Sequence, residues 1–343
     1  MNQRRVQRLP PVRLPTGSDV ARLAGVSKSA VSRAYTGGIV SDEARARILD
    51  AAHTLKYRPN GAARSLTTNR SRLIGVAITH LDNQFYPEVI ERISERLSTS
   101  GYRMVLFITR GETDLEPVTE EILGLRLDGV ILASSSMAAH VATECQALGV
   151  PVIMFNNVDP TGRVPGVTTD NDDGARALAS HLLDGGHRNF GIVTGVADSS
   201  TSSEREAAFR ASVQNAACIA PAIEAGLYEF DEAARATARL LDRHPRTDAI
   251  FCVNDHMAFA ALQTVRLRGL VPGRDISIVG FDGVTIGGWP EFDLTTFAQP
   301  VAEMTDYVVD ELIGALGGCL SPIRTMRLRG RIVPRGSSRA KNA

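Results

Sequence analysis

Residues 16–38 read TGSDVARLAGVSKSAVSRAYTGG, and the punctuation of this stretch sets the architecture of the first part of the chain. Thr16 stands three positions before Asp19, ahead of the apolar Val20 and Leu23, which is the spacing of a capped helix start. Gly25 and Val26 form a tight turn, Ser27 caps a second helix beginning at Lys28, and Gly37-Gly38 stop it after Tyr35. Ser41 caps a third block that runs through Ile48, Ala51 and Ala52 to Leu55. Two short helices joined by a few residues with a glycine match a helix-turn-helix, whose second helix enters the major groove of DNA. At 100° per residue, Lys28, Ser29, Ser32 and Arg33 share an arc of about 140°, and Ala30, Val31 and Ala34 fall opposite. One face can pack on Val20, Leu23 and Ile48 while the other offers donors to base edges, an arginine suiting guanine O6 and N7. A three-helix bundle with solvated charges has the same pattern, so the neighbouring sequence must decide.

Working outward, Tyr57-Arg58-Pro59-Asn60 is followed by Gly61-Ala62-Ala63-Arg64-Ser65-Leu66. Pro59 ends what precedes it, and Asn60 can cap a short helix of small residues too brief to be stable alone in water. Such a segment can order on a partner, and a leucine on it suits wedging between base steps in a minor groove; the plain alternative is a linker. Residues 1–72 hold fourteen Lys and Arg against four Asp and Glu, a balance of +10, and the other 24 basic and 34 acidic residues leave residues 73–343 at −10. A basic head on an acidic body points to a polyanion for the head, because each cation placed on a phosphate releases counterions.

The 343 residues are 43% hydrophobic, with room for two or three domains. No apolar run reaches the roughly 18 residues of a membrane span, and MNQRRVQRLPPVRLP has Arg and Pro where a signal peptide needs an apolar centre. A cytoplasmic protein without membrane association is expected. Cys145, Cys218, Cys252 and Cys319 form no CxxC pair, which argues against a disulfide framework or a thiolate zinc site. No GxGxxG, P-loop, GxSxG or HExxH pattern is present, so neither an enzyme nor a cofactor is expected. The Ser199–Ser203 cluster reads as a loop and helix cap, and His187 in GGHRNF as a turn or subdomain contact.

The body alternates apolar strands with amphipathic helices. Strand runs are Leu73–Thr79, Met104–Thr109, Val130–Ala133, Val152–Phe155, Phe190–Thr194, Ala249–Val253 and Ile276–Phe281, with helical patterns such as Pro87–Ser100 and Met257–Gly269 between them. The alternation argues for doubly wound parallel sheets, and so many strands for two similar α/β lobes. In such folds ligands bind beyond the carboxyl ends of strands. The polar residues after the apolar runs, Asp82-Asn83, Asn156-Asn157, Asn254-Asp255 and Asp282, are therefore the candidates, with Phe85, Phe155, Tyr228 and Trp289 as aromatic faces. Asp255 reads as a cap.

The stretches DVARLAGVSKSAVSRAYTGG, VSDEARARILDAAHTLKYRPNGAARSL, SRLIGVAITHLDNQFYPEVIE, GGHRNFGIVTG, SSEREAAFRAS, FCVNDHMAFAAL and DISIVGFDG together resemble the lactose-repressor (LacI/GalR) family of bacterial transcription regulators, from residue 16 to about 335. The resemblance implies an N-terminal three-helix helix-turn-helix domain and a hinge, followed by a two-lobed body like a periplasmic binding protein. It divides the chain into a basic tail (1–15), a DNA-binding domain (16–59), a hinge (60–71) and an effector-binding and dimerisation domain (72–343). It implies base reading by Lys28, Ser29 and Arg33, and minor-groove insertion by Ala63 and Leu66. Thr16, Ser32 and Asn60 complete the expected DNA-facing set. Effector contacts are implied at Phe85, Tyr86, Asn156, Arg205, Tyr228, Asn254 and Asp282.

The expected partners are double-stranded DNA carrying a pseudopalindromic operator, a small-molecule effector, and a second copy of the chain in a homodimer. The mixture of Asp, Asn, Arg and aromatic residues favours a sugar or sugar acid over a purine. Two rivals share the body. A stand-alone sugar receptor would lack the basic head and need an export signal, and an α/β enzyme would turn over whatever enters the cleft.

Overall fold

The computed structural model describes residues 14–58, 70–79, 81–108, 115–133, 135–159, 161–217, 220–319 and 324–339. The 1–15 tail, all but its last two residues, and Asn60, Ala63 and Leu66 with most of the expected hinge lie outside the described residues. The chain divides into two compact units, residues 1–71 and 72–343.

The first unit packs α1 (Gly17–Ala24), α2 (Lys28–Thr36) and α3 (Asp42–Thr54) around Val20, Val31, Ile48, Ala51 and Ala52. Its ends are set locally. Thr16 and Asp19 form a reciprocal capping box, Ser27 and Ser41 accept from the N–H groups of Ala30 and Ala44, and Gly25 and Gly37 close α1 and α2 in the left-handed conformation. Arg45 of α3 donates from Nη1 to the Ala34 carbonyl (2.7 Å) and from Nη2 to that of Gly38 (3.3 Å), tying down the end of α2.

The second unit contains two six-stranded sheets. Lobe 1 holds β1 (Leu73–Ile78), β2 (Arg103–Ile108), β3 (Gly129–Ala133), β4 (Val152–Phe155), β5 (Gly166–Thr169) and β11 (Thr325–Leu328), in the order β11-β5-β4-β3-β1-β2. Lobe 2 holds β6 (Phe190–Thr194), β7 (Ala222–Ala225), β8 (Ala249–Cys252), β9 (Ser277–Asp282), β10 (Thr295–Ala298) and β12 (Arg331–Val333), in the order β12-β10-β9-β8-β6-β7. All pairings are parallel except β10 with β12. The central strands are buried on both faces, as their unbroken apolar runs require.

The helices α4 (Phe85–Thr99), α5 (Leu115–Gly124), α6 (Ser135–Ala147), α7 (Asn171–Asp184), α8 (Ser200–Ala217), α9 (Phe230–Arg243), α10 (Asp255–Leu267) and α11 (Val301–Leu316) cover the sheets. The chain passes from β5 of lobe 1 to α7, which packs on lobe 2, and from β10 of lobe 2 back to α11, which packs on lobe 1. It crosses a third time between β11 and β12. Among the described residues no helix is long and apolar enough to cross a membrane.

Candidate functional site

On α2 the outward residues are Lys28, Ser29, Ser32 and Arg33, all exposed, while Val31 and Ala34 are buried against α1 and α3. The helix thus presents two hydroxyls and two cations on one side, and its direction is fixed by the Ser27 cap and by Arg45. Ser29 Oγ also lies 2.9 Å from Ser27 Oγ. Thr16 is placed differently: its hydroxyl is bonded to Asp19 (2.7 Å) and closes the start of α1, so it serves the helix end.

In the second unit the strand ends converge around Arg205. This side chain is 2% exposed although it projects from the second turn of α8. Its Nε donates to Asn171 Oδ1 (2.8 Å) and its Nη1 to the Val253 carbonyl (2.8 Å). Nη1 stands 3.5 Å from Asp282 Oδ1, and the guanidinium carbon lies 3.8 Å over the Phe281 ring. Asp282 ends β9 with φ 137° and receives the Gln299 amide at 2.7 Å. Burial, and then the Asp255 carboxylate, push the Asp282 carboxyl up to about 7, although Arg205 pulls the other way. The long Arg205 contact explains why desolvation prevails.

Tyr228 closes one side. Its hydroxyl lies 2.8 Å from Ser199 Oγ, just before α8, and its backbone is left-handed at φ 63°. Asn254 accepts the Met257 N–H through Oδ1 (2.9 Å), so it caps α10 and turns its amide nitrogen elsewhere. From lobe 1 comes Tyr86, whose hydroxyl donates to the Ala133 carbonyl (3.0 Å). Its phenol is raised first by burial and then by Tyr228 and Asp282, with Arg205 pulling the other way. Asn156 follows β4 with φ 52°, and the next residue, Asn157, accepts from Ser200 Oγ across the lobes at 2.6 Å. A second interlobe contact joins His256 Nε2 to Asp82 at 3.8 Å.

Among the described residues, Arg205 Nη2, Asn254 Nδ2 and Asn156 Oδ1 are buried without a hydrogen-bond partner in the chain. Each such group costs about 1–3 kcal/mol unless something meets it. Asn156, Tyr228 and Asp282 also hold positive φ, a cost of about 1–3 kcal/mol each where the side chain is not glycine. Two donors, one amide acceptor, a carboxylate and two tyrosines are thus carried by the two lobes that meet through Asn157 and Ser200, and such groups suit a hydroxyl-rich ligand.

The structure brings Arg205 and Asp282 together, with Asn254 following the Val253 carbonyl that Arg205 binds, Tyr228 at Ser199 ahead of the Arg205 helix, and Asn156 preceding the Asn157 that meets Ser200; Tyr86 stands on lobe 1. Phe85 is core, 3% exposed and stacked on the fully buried Phe155 at 6.4 Å. Its edge and Asp282 line a cavity of about 420 Å3 with Ala298–Val301 and Arg329–Arg331. Phe155 thus faces the core, and Trp289 is 54% exposed at a turn beyond β9, outside this group.

Asp255 is not the cap expected of it. Fully buried, it accepts the N–H groups of Gly283 (2.8 Å) and Val284 (2.9 Å) and the Thr296 hydroxyl (2.6 Å), holding the loop after Asp282. Asn171, Gln299 and Thr169 carry no local signal and were not legible as site residues. Their roles arise from partners 17 to 130 residues away. His187, Ser277 and Asp248 have the order of a hydrolase triad, with Nε2 to Ser277 Oγ at 2.8 Å and Nδ1 to Asp248 at 3.4 Å. His187 is fully buried, and Arg339 N–H donates to the same Ser277 oxygen, so the group pins the segment before the C-terminus.

Comparisons with known proteins bear on both units. Residues 17–60 match the family model described as bacterial regulatory proteins, lacI family, and residues 179–338 match a periplasmic binding protein-like domain. The chain is 32% identical over 293 residues to the ribose operon repressor of Halalkalibacterium halodurans, covering 85% of this chain and 87% of the relative. It is 29% identical to the transcriptional repressor PurR of Aliivibrio fischeri, across 94% of this chain and 98% of that one. The crystal structure of the Lac repressor dimer bound to operator and the anti-inducer ONPF superposes with a TM-score of 0.83 at 26% identity, covering 96% of this chain and all of the other.

Proposed function

The chain belongs to the lacI family of DNA-binding bacterial regulators, and from that premise we propose that it is an effector-controlled repressor of a catabolic operon. A homodimer sets two α2 helices on the half-sites of a pseudopalindromic operator in the cytoplasm. Lys28, Ser29, Ser32 and Arg33 read bases, Asn60 meets the backbone, and Ala63 and Leu66 enter the minor groove. The effector is a sugar or sugar acid held between the lobes. Arg205 Nη2 and Asn254 Nδ2 donate to its oxygens, Asn156 Oδ1 and the Asp282 carboxylate accept from its hydroxyls, and Tyr86, Tyr228 and the edge of Phe85 flank the ring. The carrying observation is the set of three buried, unpartnered polar atoms on Arg205, Asn254 and Asn156, since a hydroxylated ligand supplies the missing partner of each.

An effector shifts the chain between two states only by its differential affinity for them. A ligand that contacts both lobes favours one degree of closure and so one spacing of the paired heads. The test is a melting-temperature screen against sugars, sugar acids and nucleobases, followed by a mobility shift on DNA flanking the chain's own gene. A sugar that raises the melting point and changes operator affinity supports the reading; stabilisation by nucleobases alone contradicts the assigned ligand class.

A further inference from the structure

The buried pair in the crevice is hydrogen-bonded toward every segment that carries the chain between the lobes. The first crossover runs through Thr169–Asn171, the second through Ala298–Val301 and the third through Leu328–Arg331. Gln299, in the second, is 7% exposed. Its Nε2 donates to Asp282 Oδ1 (2.7 Å), its backbone N–H donates to the Asp282 carbonyl (3.0 Å), and its Oε1 accepts from the Thr169 hydroxyl (2.7 Å). In its ionised form Asp282 only accepts, which favours the amide orientation with Nε2 toward it. On the other side Arg205 Nε holds Asn171 Oδ1 at 2.8 Å. Asn171 Nδ2 donates to Glu204 at 2.8 Å, and Glu204 binds both Nη atoms of Arg327, just before the third crossover.

We propose that Gln299 is a positioning residue that couples Asp282 to the hinge. Its backbone belongs to the second crossover, while its amide joins Asp282 at one end to Thr169 of the first crossover at the other. When Asp282 turns toward another partner, Nε2 loses its acceptor and the amide must rotate. That rotation turns a donor toward Thr169 and leaves its hydroxyl proton only the longer Met304 Sδ contact at 3.4 Å, so the tie between the first and second crossovers weakens. Two discrete amide arrangements, biased by what Asp282 holds, make a physical link between crevice and hinge. The functional meaning rests on Asp282 being an effector contact, but the link itself can be read without effector or DNA.

The test is hydrogen exchange on the full-length chain, followed by mass spectrometry of peptides covering residues 166–171. Asp282→Ala is expected to speed exchange there by roughly three- to ten-fold, the size of one lost buried hydrogen bond. In a Gln299→Met background, adding Asp282→Ala changes nothing further in those peptides. A purely structural glutamine would let Asp282→Ala act equally in both backgrounds, and that result overturns the proposal, as does no change at 166–171 in the parent chain. Thr169→Val, nearly isosteric, reads the link in reverse and guards against misfolding of the other variants. The Gln299 amide then exchanges faster, and an unchanged Gln299 amide also overturns the proposal. Effector binding is judged separately by the melting screen, so failure of the link and failure of the site are told apart.

Discussion

A Cβ placed at Gly195 would fall 2.2 Å from Cζ of Tyr228, so the tyrosine ring occupies the space a side chain at Gly195 would need. The ring lies against the Gly195 backbone on one side and is pinned by Ser199 at its hydroxyl.

Gly195→Ala should therefore displace Tyr228 while the lobe stays folded, since the cost of such overpacking is about 1–3 kcal/mol. The expected outcome is roughly five-fold weaker binding of the sugar that stabilises the parent most, consistent with loss of about 1 kcal/mol of contact. Isothermal titration checks it, and unchanged affinity would remove Tyr228 from the effector contacts.

Arg33→Ala tests the exposed face of α2. Loss of a bidentate arginine contact costs about 1–3 kcal/mol on the preferred operator and relaxes preference at one base position. Operator titrations with each base varied in turn report this. A loss that is equal on random and preferred DNA assigns Arg33 to phosphate contact.

Asp282 predicts a pH dependence. Its folded-state value near 7 exceeds the roughly 3.9 of a free aspartate, because burial disfavours the charge. The folded chain thus binds the proton more tightly than the unfolded one. The associated stability is fully present below the unfolded value and is lost as pH climbs to about 7. Asp255, raised to about 6 by burial, acts in the same direction. Denaturation midpoints between pH 5 and 8 should fall less steeply in Asp282→Asn than in the parent; equal slopes would contradict the assignment.

The helical head was legible almost entirely, because Thr16, Ser27 and Ser41 cap their own helices within three residues and Gly25 and Gly37 stop two of them. The doubly buried strands were legible for a related reason, their continuous apolar runs. The missed strands β5, β7, β10, β11 and β12 are short and rich in Thr, Glu or Arg. In β5 and β10 the threonines are buried polar residues: Thr169 is bonded to Gln299, and Thr295 to the chain around Arg335. Such satisfaction is tertiary and leaves no periodic mark. The same holds for the crevice. Residues directly after apolar strands, such as Asn156, Asn254 and Asp282, could be found by position, whereas Gln299 and Asn171 act through contacts that only the crossovers create.

Under the proposed function the buried Arg205 ties ligand occupancy between the lobes to the grip on DNA. The most direct measurement is operator affinity of the parent and of Arg205→Ala, each titrated with the sugar or sugar acid that most stabilises the parent. The account predicts that the parent's affinity changes with that ligand, while Arg205→Ala binds operator as tightly as the ligand-free parent and ignores the ligand. A variant that responds normally would contradict the account.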